Sequence, residues 1–358
     1  MNYNKSLPNF EEDDGKKAAE SIAVRNKMRT QLPEDLSQFR ILEVLGQGTF
    51  GVVFKGEVDI ENGRVLDVAI KMIYSIHEES SMKNELKMLQ KFLDAPHILQ
   101  LLWHFVAFPS PQMLELARET ICHALLDFTA SATFFVVELF PFTLEKKLEA
   151  VGNFMPQQII KYSQQLAKAL RHLFRKRVVH RDVKLDNIFV TSEDSVILGD
   201  LGVGLEVNEN YCCDFSELCG GNQLFAAPEV LTAINSQVKD VEASTEINFE
   251  KQYSWELGCV IYYIAVGQFP FNGYPGAFTK GNKTVSVPEI DITNIVEVDE
   301  KFAKIISQLL VNDPQKRISI EEAYEEISCF TEVNLLYIFF TFPCSKRRHT
   351  YLPETEMW

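Results

Sequence analysis

Gly46-Gln-Gly48-Thr-Phe-Gly51-Val-Val lies between two stretches rich in Val, Ile and Phe. Glycines at this spacing have no Cβ atoms, so the backbone amides can close over phosphate oxygens. A dinucleotide fingerprint needs a strand followed by a helix. Here a strand-like run lies on each side, which suits a hairpin lid over a nucleotide; a plain tight hairpin is the alternative. Twenty residues after Gly51 comes Val68-Ala-Ile-Lys71. A lysine inside an apolar strand needs an anionic partner. Glu85, fourteen residues further on, is the candidate. Such a pair can present an ammonium to the α- and β-phosphates of a nucleotide; a surface ion pair is the alternative. His180-Arg-Asp182-Val-Lys184-Leu-Asp-Asn187 follows a long helical pattern, Asp200-Leu-Gly202 lies eighteen residues beyond Asp182, and Ala227-Pro-Glu229 closes a thirty-residue segment. Each piece alone is a common accident. Their order and spacing together are not.

Two kinds of element must position these residues. Phe39–Leu45, Val52–Val58, Val65–Ile73, Ile98–Phe105 and Phe134–Leu139 are strand-like, with Gly and Asn turns between the first three. Met82, Leu86, Leu89 and Leu93 recur at helical spacing after Ser81, a candidate N-cap. The connection from Phe108 to Thr133 is long for two paired strands. It contains Pro109, Pro111 and a helical pattern at Gln112–Leu125, and so reads as an insertion. Beyond Phe140 helices dominate: Pro156–Phe174 with proline in its first turn, the apolar stretch Leu257–Val266, Phe302–Leu310 and Ile320–Ile327. The chain is therefore α+β, strand-rich in its front third and helix-rich after it. Residues 1–38 read as a polar tail with one short helix near Ala18–Met28.

These motifs resemble the eukaryotic protein kinase family, over roughly residues 39–330. The resemblance implies a bilobal protein kinase-like fold: a small antiparallel β-sheet N-lobe with one helix (39–139) and a larger, mainly helical C-lobe (140–330), followed by a tail over 331–358. It implies that Asp182 accepts or orients the proton of the substrate hydroxyl. Lys184 would contact the γ-phosphate, and a lysine there resembles the serine/threonine branch. Asn187 and Asp200 would hold Mg2+, while Lys71 and Glu85 would form the strand–helix ion pair. The ATP site would comprise Leu45, Gly46, Gln47, Gly48, Thr49, Phe50, Gly51, Val52 and Val53 of the lid, Ala69 and Lys71 of the strand, Glu138 and Phe140 at the hinge, and Leu185. The implied activity is transfer of the ATP γ-phosphate to a protein serine or threonine, a reaction of positioning and electrostatics with little covalent work for the protein. Hard cations take oxygen ligands, which Asp200 and Asn187 supply. Plain core packing is the alternative role for the apolar members. Arg317 is placed like the family arginine that pairs with Glu229.

The whole chain of 358 residues has 35 basic and 50 acidic residues, a net charge of −15. Such a chain repels phosphate backbones and anionic lipid, so nucleic acid and membrane surfaces are poor partners. No run approaches 18 apolar residues, so no spanning helix is expected. Seven Cys without a CxxC, and no signal peptide, point to a reducing, cytoplasmic setting. Glu11, Glu12, Asp13 and Asp14 argue against a mitochondrial transit peptide. Val333–Phe342 is apolar and precedes Lys346, Arg347 and Arg348, which reads as a strand or helix packed on the body, with a partner-binding or aggregation-prone segment, or a membrane anchor, as the alternatives.

Several positions depart from the family pattern. Asn222 stands where serine/threonine kinases usually carry a threonine that bonds the catalytic Asp and Lys. Tyr253 replaces the aspartate that anchors the catalytic loop, and Leu201 replaces the commoner Phe. Asn222 and Tyr253 keep open the alternative of a nucleotide-binding pseudokinase scaffold; a small-molecule kinase is the third class. Gly220-Gly221-Asn222, the insertion and Phe142-Thr143-Leu144 also resemble the mitochondrial ubiquitin kinases linked to Parkinson disease, against which stand the acidic N-terminus and the short C-terminal extension. A divergent serine/threonine kinase of no assigned subfamily is the reading kept. Arg181 suggests a basic pocket for an anion in the activation segment, whose hydroxyls are Tyr211 and Ser216, with Asp214 or Glu217 as unmodified alternatives. Glu145 and Glu149 suit a basic protein substrate, or else a solvated helix face.

Overall fold

Alternating Val, Ile and Phe along the front of the chain favour a half-buried pleated surface, and a sheet forms there. The computed structural model describes residues 22–23, 25–27, 29–30, 36–48, 51–60, 63–73, 79–120, 131–218, 220–239, 246–271 and 299–330. The chain divides into two compact units, Met1–Leu139 and Phe140–Trp358. In the first unit, β1 (Phe39–Gly48), β2 (Gly51–Ile60), β3 (Arg64–Ile73), β4 (Leu101–Ala107) and β5 (Ala132–Glu138) pair antiparallel in the order β1-β2-β3-β5-β4. The two-residue period puts Val52, Phe54 and Val58 of β2 on one face, each 1% exposed or less. They join Ile70, Met72, Phe134 and Val136 in one cluster. Burial of each such side chain contributes about 1.5–3 kcal/mol. β5 lies between β3 and β4 and is buried from Ala132 to Val136 without alternation, as a strand covered on both faces must be.

One helix, α1 (Glu79–Lys91), follows β3. It begins two residues before Ser81, so Ser81 lies inside the first turn rather than capping it. Glu85, Met88, Leu89 and Phe92 are buried, at the three- and four-residue spacing of one helix face.

The long connection before β5 belongs to the core of the first unit. Its helix α2 (Pro111–Thr120) starts on proline, and Met113 and Ala117, four residues apart, are both 0% exposed within the sheet's cluster. Gln112 Nε2 donates to the Ile41 carbonyl at 2.7 Å. The rest of the helix expected to Leu125 falls in 121–130, outside the described residues. Of the N-terminal stretch expected as a polar tail, the described residues of 22–30 are helical, and Arg29 Nε donates to the Leu101 carbonyl at 3.1 Å. That stretch is fastened to the first unit.

The second unit carries β6 (Phe142–Thr143), α3 (Leu144–Val151), α4 (Pro156–Arg175), β7 (Val178–Val179), β8 (Ile188–Val190), β9 (Val196–Leu198), β10 (Leu205–Glu206), β11 (Cys212–Asp214), α5 (Pro228–Lys239), β12 (Glu246–Asn248), α6 (Gln252–Val266), α7 (Glu300–Leu309) and α8 (Ile320–Ser328). α4 packs its stripe of Ile159, Leu166, Leu170 and Leu173 against elements that include α6 and α8. α6 is buried without a break from Gln252 to Tyr262, which explains why it is apolar all round. Gly258 of α6 faces the end of α7; a Cβ there would lie 2.8 Å from Leu310 Cγ and 2.9 Å from Leu309 Cβ. Only glycine permits that approach. The short sheets β6-β8-β9, β7-β10 and β11-β12 sit beside this helical scaffold and carry the loops described next. The α+β division expected from the sequence holds, sheet in the first unit and mainly helix in the second. Val333–Phe342 lies outside the described residues. No helix among the described residues is long and apolar enough to cross a membrane.

Met113→Ala tests whether α2 is core or surface. The substitution should destabilise the chain by about 2–5 kcal/mol in denaturant unfolding. A change of about 0.5 kcal/mol or less would mean that α2 is only draped over the sheet.

Candidate active site

The glycine run is a hairpin tip between β1 and β2, with Gly46 opposite Val53, Gln47 opposite Val52 and Gly48 opposite Gly51. A Cβ on Gly51 would lie 2.1 Å from the Met72 carbonyl oxygen, so only glycine lets β2 approach β3 this closely at that point. A Cβ on Gly46 would meet nothing within 4 Å, so the backbone there borders open space. Leu45 and Gln47 are exposed, Val52 is buried and Val53 half-buried. Thr49 and Phe50 lie outside the described residues. On β3, Ile70 and Met72 point into the core while Ala69 and Lys71 occupy the opposite face. Lys71 Nζ meets Glu85 Oε1 at 2.6 Å and Oε2 at 2.9 Å. Glu85 is 5% exposed, and this ammonium offsets the desolvation of its carboxylate. The strand–helix pair expected from the fourteen-residue spacing is thus formed. At the end of β5, Glu138 pairs with Val68 of β3. Burial pushes its carboxyl pKa up, against the pull of the Arg25 and Arg29 charges.

In the second unit the stretch 180–184 is irregular and runs into a 3-10 turn at Leu185–Asn187, and side chains hold it. His180 is 0% exposed; its Nε2 donates to the Gly199 carbonyl at 2.9 Å and its Nδ1 accepts from Asp182 N–H at 3.2 Å. Burial lowers its pKa and keeps the ring neutral. Asn187 Nδ2 donates to the Asp182 carbonyl at 2.9 Å and to Asp182 Oδ2 at 2.7 Å. That orients the amide, with Oδ1 turned away from Asp182. Lys184 Nζ lies 3.1 Å from Asp182 Oδ2. Burial raises the Asp182 pKa, and the Lys184 charge opposes the rise most strongly. The β8–β9 hairpin closes the twelve residues between Asn187 and Asp200, with Gly199 N–H donating to the Asn187 carbonyl at 2.8 Å. Asp200 has φ of 57°, and its Oδ1 accepts from Gly202 N–H at 3.3 Å. Leu185 and Leu201 are buried, and Phe140 stacks on Phe189 with ring centroids 5.4 Å apart.

The segment from Asp200 to Glu229 is tied down at several points. Arg181 Nη1 donates to the Val203 carbonyl at 3.3 Å and its Nη2 reaches the Gly220 carbonyl. Asn222 N–H donates to the Arg181 carbonyl at 2.8 Å, while Asn222 Oδ1 caps the turn at Gln223–Phe225 by accepting from Leu224 N–H at 2.9 Å. The asparagine oxygen therefore serves a local cap. Ser216 Oγ donates to Asp214 Oδ1 at 2.6 Å. Glu229 meets Arg317 in a two-pronged pair at 2.6 and 2.9 Å, and the guanidinium also lies over the Trp255 ring. Tyr253 Oη donates to the Val178 carbonyl at 2.9 Å, just ahead of the irregular stretch. Its ring meets Phe174 edge-on, and Phe174 stacks on Tyr211 at 4.4 Å.

Two participants had no sequence signal. Gln252 Oε1 accepts from Ala227 N–H at 2.7 Å and its Nε2 donates to the Phe225 carbonyl at 3.2 Å. A lone glutamine opening an apolar helix has neither charge nor period to mark it. Asp186 hydrogen-bonds Glu145, forty-one residues earlier, and this bond is the main cause that raises the Glu145 pKa to about 8.

A sequence profile described as the protein kinase domain matches residues 39–327. Among curated relatives, the serine/threonine-protein kinase cds1 of Schizosaccharomyces pombe is 28% identical over 84% of this chain and 60% of its own length. The Aurora kinase of Dictyostelium discoideum is 25% identical over 80% of this chain and 64% of its own. The carbon catabolite-derepressing protein kinase of Secale cereale is 26% identical over 81% and 51%. The chain thus spans between about half and two thirds of the length of these relatives.

Tyr253→Phe removes one donor and keeps the ring. It leaves the Val178 carbonyl buried without that partner, a loss of about 1–3 kcal/mol. Equilibrium unfolding reads the change; an unaltered midpoint would show that the phenol does not anchor this strand.

Proposed function

We propose, from the premise that this chain belongs to the protein kinase family, that it transfers the γ-phosphate of ATP to a serine or threonine hydroxyl of a protein substrate with the help of Mg2+. The observation that carries the reading is the Asp182 carboxylate, oriented by the Asn187 amide and accompanied by the Lys184 ammonium. The names of the relatives agree with it. The scaffold alternative rested on Asn222 and Tyr253. Both are accommodated by local bonds, and neither removes Lys71, Glu85, Asp182, Lys184, Asn187 or Asp200.

Each residue has a stated task in this reading. Lys71, held by Glu85, donates to α- and β-phosphate oxygens. The lid Leu45–Val53 supplies backbone N–H groups to the phosphates, with Gly46, Gln47, Gly48, Thr49, Phe50, Gly51 and Val52 as its members. Val53, Ala69 and Leu185 offer apolar surface to the adenine, and the backbone at Glu138 and Phe140 offers hydrogen bonds. Asp182 orients the acceptor hydroxyl and takes its proton as the oxygen–phosphorus bond forms. The bond from the γ-phosphorus to its bridging oxygen breaks, and ADP leaves. Lys184 counters charge on the γ-phosphate. Asn187 Oδ1 and Asp200 would hold Mg2+; a pair of oxygen ligands suits a hard cation that completes its shell with phosphate and water. Bound Mg2+ neutralises charge on the phosphate oxygens.

The substrate class we infer is a protein with a basic residue near the acceptor. Glu145 and Asp186 share a hydrogen bond, and Glu149 adds to the negative potential there. A guanidinium would displace the shared proton and meet two carboxylates.

Asp182→Asn should lower transfer from radiolabelled ATP by about 10²- to 10⁴-fold, with phosphoserine or phosphothreonine in the wild-type product. Equal signal from the mutant would overturn the assignment. A second test uses pH. With the Glu145 carboxyl pKa raised to about 8, the pair carries more negative charge as pH rises toward that value. The KM for an arginine-containing peptide should therefore fall from pH 6.5 to 8.5, and Glu145→Gln should flatten the profile. A profile that keeps its slope in Glu145→Gln would remove this pair from substrate recognition.

A further inference from the structure

Arg25 and Arg29 precede the matched domain, yet both side chains reach one loop of the first unit. Arg29 makes four contacts: Nε to the Leu101 carbonyl at 3.1 Å, Nη1 to Asp94 Oδ1 at 2.9 Å and to Asn26 Oδ1 at 2.8 Å, and Nη2 to Gln100 Oε1 at 3.4 Å. Arg25 Nε lies 3.9 Å from the same Asp94 oxygen. Both arginines also act electrostatically on Glu138 at the end of β5.

The loop they grip, 92–100, needs outside support. Asp94 and His97 have φ of 63° and 58°, left-handed conformations that cost a non-glycine residue about 1–3 kcal/mol each. Gln100 is 1% exposed and forms the hub of the loop. Its Nε2 faces the carbonyls of Phe92 at 3.2 Å, Ala95 at 3.0 Å and Ile98 at 2.7 Å, and its Oε1 accepts from Asp94 N–H. Phe92 N–H in turn bonds the Met88 carbonyl in the last turn of α1. Glu85 lies seven residues before Phe92, two helical turns along the same face. The loop is thus continuous in the chain with the helix that carries the carboxylate facing Lys71.

We propose that the described residues of 22–30 form a docking segment, and that Arg29 is a positioning residue that sets the loop behind α1 and thereby the placement of Glu85 against Lys71. The segment lies outside the residues that the protein kinase profile matches. Its consequence for turnover rests on the kinase reading; its structural core does not.

The test uses the full chain and two readouts. Hydrogen–deuterium exchange of Arg29→Ala should speed amide exchange in 92–101 and the end of α1 by about tenfold, the effect of losing a hydrogen bond to a charged group. Exchange in α4 and α6 of the second unit should stay unchanged. Steady-state kinetics should show kcat/KM for ATP lowered by about tenfold, while the KM for a peptide acceptor moves less than about twofold. Arg29→Lys keeps the charge facing Asp94 but not the fork, and should fall between wild type and Arg29→Ala; it also serves if Arg29→Ala does not fold. Unchanged exchange in 92–101 overturns the docking role. Faster exchange there with unaltered ATP kinetics overturns the link to Glu85. Failure of the kinase reading itself would show in Asp182→Asn and would leave the exchange result standing.

Discussion

Asp182 sits on a stretch with no ladder of backbone hydrogen bonds, and a carboxylate in a mostly desolvated site keeps its position only if its surroundings impose it. Four bonds do so. Tyr253 fixes the Val178 carbonyl, His180 ties the loop to Gly199, Asn187 grips Asp182 through both backbone and side chain, and Asn222 N–H closes on the Arg181 carbonyl. Each bridges separated parts of the chain or pins the irregular stretch to itself. Helices α4 and α6 supply the rigid surroundings that make such bonds worth forming, since a bond to a mobile partner orders nothing.

The buried charges follow one rule. A charge withdrawn from water must be paired, or the group must give up its charge. Glu85 is paired with Lys71, and Glu229 with an Arg317 whose side chain is 0% exposed. Glu256 takes the other course. It is 1% exposed on α6, one carboxyl oxygen meets no hydrogen-bond partner, and burial raises its pKa to about 8, so it stays protonated at neutral pH. Asp182 lies between these cases: burial raises its pKa, and the Lys184 charge opposes the rise.

The departures from the family pattern are absorbed by reassigning hydrogen bonds. A carboxylate at position 253 would accept from backbone N–H groups; the phenol present donates to a carbonyl instead, and its ring extends the contact through Phe174 to Tyr211. Asn222 caps the turn before Ala227-Pro-Glu229, and Gln252 holds that turn from below with both ends of its amide. The thirty-residue segment from Asp200 to Glu229 is thus fastened by uncharged groups as well as by Arg181 and Arg317.

Much was legible in the residues alone. Apolar period marked the five strands of the first sheet and the long helices, because burial of one face writes a two- or 3.6-residue rhythm into a chain. Spacing marked Lys71 with Glu85, since a charge in an apolar run implies a partner, and the resemblance to the family marked Arg317 with Glu229. Other features belong to tertiary structure. Met113 and Ala117 read as part of an insertion, and only packing shows them inside the sheet's core. Arg29 sits in a polar stretch whose composition suggested a tail; its partners at 94, 100 and 101 lie some seventy residues away. Gln252, Gln100 and Asp186 are single polar residues with no period to betray them. A hydrogen bond is short-ranged and directional, so which carbonyl or carboxylate such a residue meets is decided by how the backbone folds, whereas burial acts on whole faces and leaves its mark residue by residue along the chain.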